Sequence, residues 1–410
     1  MKVVILCKSD GTGGAAIVSF RLMEALRGEG VDARMLVAEK TTDSPYVDAA
    51  FSPLLRNYEF LRERLSIFCK NGFNRRTLFK IDDGSQGLPL WKHPWIKEAD
   101  AVIINWVNQG FLSLRGVERL AREGKKIIWT MHDMWNFTGI CHHAGRCRNF
   151  LDECGDCPLL LSKASSDDLS RKVWKRKKKL YDSANIRFVA VSSWLKSLAE
   201  KSSLLKERDI SLIPNAFPLH LLNPQPREEG NGHTLIFGAA RIDDDIKGFP
   251  ILKESLKVFK EKYPDLAKST KLLLYGNIKD REALVDIPLD YEYSGAVQGL
   301  EALKEIYQRG DAVLSTSLYE NLPGTLIEGQ AFGCVPVSFD RGGQRDIIDH
   351  LHTGYLVSWS DDPALRATAF ADGIAWALRN RPRLLLPMRS SVLSRFSYPS
   401  VATRYLSLLQ

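Results

Sequence analysis

Short apolar runs alternate with helically patterned stretches along almost the whole chain, and no other feature constrains the fold as much. A strand covered on both faces reads as a continuous apolar run, and two parallel strands need a crossover long enough to hold a helix. The pattern therefore predicts an α/β fold of parallel sheets covered by helices. In the first half the candidate strands are Val3–Cys7, Asp32–Val37, Ala101–Trp106, Lys126–Thr130, Arg187–Val191 and Ser211–Ile213. The chain then changes character: Pro214, Pro218, Pro224 and Pro226 fall within thirteen residues, ahead of a charged, glycine-containing stretch. Such a segment reads as a linker. A second series follows, with strands expected at Thr234–Phe237, Lys271–Tyr275, Tyr291–Tyr293, Ala312–Ser315 and Val335–Ser338. Two Rossmann-like domains, residues 1–215 and 216–394, would leave a cleft between the carboxyl ends of their sheets, where such folds take ligands.

At 410 residues the chain is long enough for two domains with separate cores, and 44% hydrophobic with 26% charged residues is the balance of a soluble globular protein. The apolar run at Val3–Cys7 is too short for a signal peptide, and no run approaches the ~20 apolar residues of a spanning helix. A cytoplasmic location is expected. Charge is uneven: residues 1–215 carry 35 Lys and Arg against 25 Asp and Glu, and the remainder 22 against 24. The basic half suggests either an anionic partner, a membrane surface or a lipid-linked phosphate among them, or simply a solvated basic face.

The richest local pattern is Glu320-Asn321-Leu322-Pro323-Gly324-Thr325-Leu326-Ile327-Glu328. Pro323 suits the first helical position, so a helix is expected to start there and present its positive end beside Glu320. That end suits a diphosphate. One carboxylate before the helix and a second two turns along it would take hydroxyl groups at two points of one nucleotide-sugar. Two glutamates at this spacing are also common on a solvated helix face.

With a strand expected just before it and Gly329–Val337 after it, the segment resembles the Glu-x7-Glu motif of family 4 glycosyltransferases, retaining enzymes of the GT-B fold. The resemblance covers most of the chain. It implies two Rossmann-like domains facing across a cleft, the first on the acceptor side and the second binding the nucleotide-sugar. It also implies a last helix, within 395–410, that packs back on the first domain. The activity implied is a hexosyltransferase-type transfer from a UDP- or GDP-sugar to a saccharide or lipid-linked acceptor, as in cell-surface polysaccharide biosynthesis.

Other segments gain meaning from the same resemblance. Gly13 and Gly14, after the first strand, match a glycine pair that lines the cleft, although a tight turn reads the same way. His132, in Thr130-Met131-His132-Asp133, matches a residue that reaches the donor sugar; a His beside an Asp is otherwise an ordinary hydrogen-bonded pair. Arg241, Lys247 and Gly248 match the group that holds the donor diphosphate, whereas spacing alone gives a loop whose basic residues answer Asp243, Asp244 and Asp245. Fixed positive charge there would replace the metal of other transferases, so no catalytic metal is expected. Ser192, Asn215, Asn321, Leu322, Pro323, Thr325 and Glu328 complete the implied donor set. Gly342-Gly343-Gln344-Arg345-Asp346 departs from the family by carrying Asp346 where Glu is usual.

Cys141, Cys147, Cys154 and Cys157 follow a C-x5-C-x6-C-x2-C pattern. A four-cysteine structural zinc, disulfides and unpaired thiols are all consistent with it. The segment, within about 134–160, resembles an insertion found in transferases of the colanic-acid type. Two further stretches are basic: Arg171–Lys179, with seven basic residues in nine, and the helically spaced Leu54, Tyr58, Leu61, Leu65 and Phe68 among Arg56, Arg62, Arg64 and Lys70. Either is an ordinary domain helix with a wet basic face or a helix that lies on an anionic bilayer.

Two rivals share these features. A GT-B epimerase or phosphorylase would use the same fold and related ligands. A zinc-stabilised nucleic-acid-binding protein would use the cysteines and the basic run but leave the glutamate motif without purpose, so nucleic acid is not expected as a partner.

Overall fold

The computed structural model describes residues 1–220, 232–297 and 299–410, so the linker residues Asn223-Pro224-Gln225-Pro226 lie outside the described residues. The chain divides into two units, Met1–Ala216 with Val401–Gln410, and Phe217–Ser400.

Seven strands build the first unit: β1 (Lys2–Ser9), β2 (Asp32–Glu39), β3 (Val47–Ala49), β4 (Ala101–Ile104), β5 (Lys126–Met131), β6 (Ile186–Ala190) and β7 (Ile210–Leu212). All pair in parallel, in the order β3-β2-β1-β4-β5-β6-β7. Strand β1 is central, with Val3 in register with both Ala33 and Ala101. Its Val3, Val4, Ile5 and Leu6 are all buried, as a strand covered by helices on both faces requires. The core gathers large aromatics around Trp129, which stacks on Phe188 at 6.4 Å between ring centroids. The terminal segment Val401–Gln410 completes this unit. Buried Tyr405 shares a 2.8 Å hydrogen bond with the Thr130 hydroxyl, and Lys126 Nζ donates to the Leu409 carbonyl at 2.8 Å.

The second unit repeats the plan with six strands: β8 (His233–Arg241), β9 (Thr270–Asn277), β10 (Asp290–Tyr293), β11 (Ala312–Ser315), β12 (Val335–Phe339) and β13 (Tyr355–Val357). They are parallel, in the order β10-β9-β8-β11-β12-β13. Its separate core includes Phe237, Phe249, Phe259, Phe339 and Phe370. Strands β3 and β13, three residues each, are absent from the expectation above. No described helix is long and apolar enough to cross a membrane.

In each sheet the direction of winding reverses once, between β1 and β4 and between β8 and β11. The loops leaving the carboxyl ends of such a strand pair diverge and open a crevice. Most residues singled out in the sequence stand on loops or helix starts at the carboxyl ends of these strands.

Candidate functional site

In the second unit, β8 and β11 are neighbours, with Leu235 opposite Ala312 and Ile236 opposite Val313. The loops that leave their carboxyl ends, Arg241–Gly248 and Thr316–Pro323, are stapled together. Leu318 N–H donates to the Ile246 carbonyl at 2.8 Å. The Thr316 hydroxyl reaches the carbonyls of Lys247 and Gly248 at 3.0 and 2.9 Å. Gly248 sits in the left-handed region at φ 65°, and a Cβ there would lie 2.3 Å from the Thr316 carbonyl oxygen. Both demands select glycine.

This clamp presents Lys247 to Glu320. The Lys247 ammonium lies 2.5 Å from Glu320 Oε1, which also accepts the Ser317 hydroxyl at 3.0 Å. The loop after β12 fixes the Glu320 main chain, since Gly343 N–H donates to its carbonyl at 3.0 Å. Arg341 Nε donates to the Leu318 carbonyl at 2.9 Å. Burial, followed by the carboxylates of Asp244 and Glu320, pushes the Tyr319 phenol up. Arg241 behaves differently from Lys247: half exposed, it pairs with Asp243 at 3.5 Å and Asp244 at 3.2 Å. The reading in which basic residues answer their own aspartates thus describes Arg241 and not Lys247.

The helix after Glu320 runs from Gly324 to Ala331, with Pro323 as its N-cap residue rather than its first helical one. Pro323 has ψ 107°, an extended value, because the turn from Glu320 still has to bring the chain onto the helix axis. Pro323, as the N-cap residue, makes no side-chain cap hydrogen bond to the first-turn N–H groups. Leu322 is buried, while Asn321 and Thr325 are half-buried. Glu328 is buried on the helix, and the Tyr307 hydroxyl donates to its Oε2 at 3.4 Å.

In the first unit, Gly13 precedes the helix Gly14–Gly28 with φ 91°, and no side chain caps that helix. Nothing lies within 4 Å of where a Cβ would stand on Gly13 or Gly14. The constraint on Gly13 is conformational, not steric. His132 follows β5, with Nε2 2.9 Å from Asn105 Oδ1. Burial, only partly opposed by Asp133, lowers its pKa to about 4, so the ring is neutral near pH 7. Asp133 fastens the structure: it accepts from Trp106 Nε1 at 2.9 Å and Trp135 N–H at 2.8 Å, and pairs with His142 Nδ1 at 2.8 Å. Burial alone would raise its carboxyl, but the His142 charge and hydrogen bond outweigh this and hold it at about 2. The Ser192 hydroxyl caps the helix Ser193–Ala199 by accepting from Leu195 N–H at 3.2 Å. Asn215 is half-buried beyond β7. A separate cavity opens at the ends of β1 and β2, where Lys8, Lys40 and Arg56 face a single carboxylate, Glu39.

Cys141, Cys147, Cys154 and Cys157 are thiols lining one small cavity. Burial pushes Cys141 and Cys157 up to about 12 and Cys154 to about 11. Four sulfur donors around one space suit a zinc ion in kind. Among the described residues, however, no three His, Cys, Asp or Glu side chains converge as ligands of one ion. Lys177, from the basic run, lies buried beside the cysteines and donates to the Trp135 and Thr138 carbonyls at 2.5 and 3.1 Å.

Sequence reasoning brought together Lys247, Gly248 and Glu320 and missed Thr316, Ser317 and Tyr319. Ser317 stands three residues before Glu320, a Ser-x-x-Glu spacing readable in the sequence; Thr316 had no such mark. Gln344 was also missed. It is fully buried behind Gly342 and Gly343, and both polar atoms of its amide lack hydrogen-bond partners among the described residues.

Residues 220–390 match the family model described as Glycosyl transferases group 1. No curated protein matches the sequence. Among solved structures, the Anabaena protein Alr3699/HepE in complex with UDP-glucose is 12% identical, with 100% of this chain and 99% of that chain covered and a TM-score of 0.61. Sucrose-phosphate synthase from Thermosynechococcus elongatus is 17% identical over 100% and 98%, with a TM-score of 0.64. A glycosyltransferase from Rickettsia africae ESF-5 is 15% identical over 100% and 97%, with a TM-score of 0.63. At such identities the likeness is one of fold, and the fold is GT-B.

Proposed function

We propose that this chain, a GT-B fold whose residues 220–390 match Glycosyl transferases group 1, is a retaining, family 4-like hexosyltransferase acting in cell-surface polysaccharide biosynthesis. The observation that carries the reading is the Lys247–Glu320 pair, set where β8 and β11 diverge and beside an uncapped helix N-terminus. In this reading the N–H groups of Gly324 and Thr325 take the donor diphosphate, with Lys247 and Arg241 supplying positive charge as it departs. Glu320 turns from Lys247 to the sugar hydroxyls. Glu328 takes the ribose, and Asn321, Leu322 and Gly248 shape the loop around the donor. No residue here is assigned as a covalent nucleophile; the acceptor attacks from the face the leaving group vacates, through an oxocarbenium-like state. No catalytic metal enters this scheme.

To the first unit the proposal assigns the acceptor, with His132 as a neutral hydrogen-bonding group for sugar and with Gly13 and Gly14 leaving room at the carboxyl rim. The Lys8, Lys40 and Arg56 cavity suits an anionic group on a saccharide or lipid-linked acceptor. The four cysteines would hold a structural zinc once their thiols turn onto a common centre.

Because the Anabaena protein was solved with UDP-glucose, UDP and UDP-sugars are the first donors to test. Thermal unfolding with UDP, GDP and ADP should show stabilisation by one nucleotide, about 2.7 kcal/mol when the ligand is at 100 times its Kd. A chain indifferent to all three would contradict the transferase reading.

A further inference from the structure

The two basic segments of the first unit look alike in sequence and differ in structure. In the helix Leu169–Ser183 the apolar positions Val173, Trp174 and Leu180 are buried. Its basic residues meet carboxylates of the same unit: Lys175 with Asp167, Lys178 with Asp182, Arg171 with Glu153. It is an ordinary domain helix with a wet face.

The helix Pro53–Lys70 is arranged the other way. Leu54, Tyr58, Leu61 and Leu65 follow one another at spacings of four, three and four, and they are 82%, 58%, 63% and 63% exposed. They form one apolar stripe turned to solvent. Phe73 and Phe79, in the segment that follows, are 66% and 58% exposed. The charges are sorted too. Every acidic residue between Ser52 and Asp83, namely Glu59, Glu63, Asp82 and Asp83, is buried, and each is paired with Arg62, Arg64 or Lys70. The exposed charges of the same interval are Arg62, Lys70, Arg75, Arg76 and Lys80, all basic.

We infer that this face docks on an anionic lipid bilayer, with the Leu54–Leu65 stripe, Phe73 and Phe79 entering the headgroup boundary and the five cations meeting lipid phosphates. An amphipathic helix that lies in the interface needs this combination of an apolar stripe, flanking cations and no outward carboxylate. A neutral apolar partner would not account for the burial of all four acids. The inference goes beyond the transferase reading and does not depend on it, since binding is measured without turnover.

The test is co-sedimentation of the full chain with vesicles of phosphatidylcholine alone and of phosphatidylcholine with phosphatidylglycerol. Binding is expected only with the anionic lipid, and it should weaken at least tenfold, roughly, on going from about 0.05 to about 0.5 M salt. Leu61→Glu with Leu65→Glu, and separately Arg75→Glu with Arg76→Glu, should each reduce binding by about tenfold or more. Lys175→Glu with Lys178→Glu, on the other basic helix, should leave it unchanged. Leu61, Leu65, Arg75 and Arg76 are exposed, so melting temperatures of their variants should stay at the wild-type value. Equal binding to both vesicle types, no binding to either, or full binding by the Leu61→Glu, Leu65→Glu protein would overturn the inference. Self-association that this variant abolishes, without vesicle binding, would assign the face to a second copy and equally overturn it.

Discussion

Lys247 and Glu320, 73 residues apart in the chain, meet because Thr316 and Leu318 bind the Ile246–Gly248 turn from the neighbouring loop. Each then lies where the other holds it, and in the proposed reading a diphosphate must draw Lys247 from that pairing. If Lys247 stabilises the leaving group, Lys247→Ala should lower kcat/KM by about a hundredfold, equivalent to about 3 kcal/mol, with kcat falling as well as donor affinity. Melting temperature should change little, because the ion pair is partly exposed and worth about 1 kcal/mol or less. Activity should persist through brief EDTA treatment. A Lys247→Ala enzyme of full activity, or one restored by Mg²⁺ after EDTA, would show that the positive charge comes from elsewhere.

The cysteine-rich segment is an element whose fold depends on one chemical question. Its backbone is irregular, with Cys154 and Asp156 at positive φ, and such short loops are stabilised little by their own packing. Its anchor is Asp133, which ties Trp106, Trp135 and His142 together at the end of β5. With zinc bound, elemental analysis of freshly purified protein should give about one zinc per chain, and Cys141→Ser or Cys157→Ser should lower both metal content and melting temperature. Metal-free protein in which all four thiols react with a thiol reagent would favour the unpaired-thiol reading.

Across the whole molecule, the chain ends in the unit where it begins. Tyr405 is buried against Thr130, and Lys126 and Arg187 hold the carbonyls of Leu409 and Leu408. Tyr405→Ala should therefore cost the first unit about 3 to 5 kcal/mol, and Tyr405→Phe, which loses only the hydroxyl, about 1 kcal/mol. Most of the nine tryptophans lie before residue 217, so urea unfolding followed by tryptophan fluorescence reads this unit. An unchanged transition for Tyr405→Ala would mean that the terminal helix contributes little to the stability of the sheet.

The sequence by itself determined the class of fold and marked the segment from Glu320 to Glu328 as a candidate site. Continuous apolar runs such as Val3–Leu6 have few other uses, and the Glu320–Glu328 spacing is set by local chain geometry. What it could not determine was which charges meet. Arg241 and Lys247 look equivalent in a row of aspartates, yet only Lys247 reaches Glu320, because that outcome rests on hydrogen bonds from Thr316 and Leu318 across the β8–β11 junction. The basic helices make the same point. Their patterns are alike, and only packing buries the apolar face of Leu169–Ser183 while leaving that of Pro53–Lys70 in water. Local propensity and period are written residue by residue, whereas partners and exposure are properties of the assembled surface.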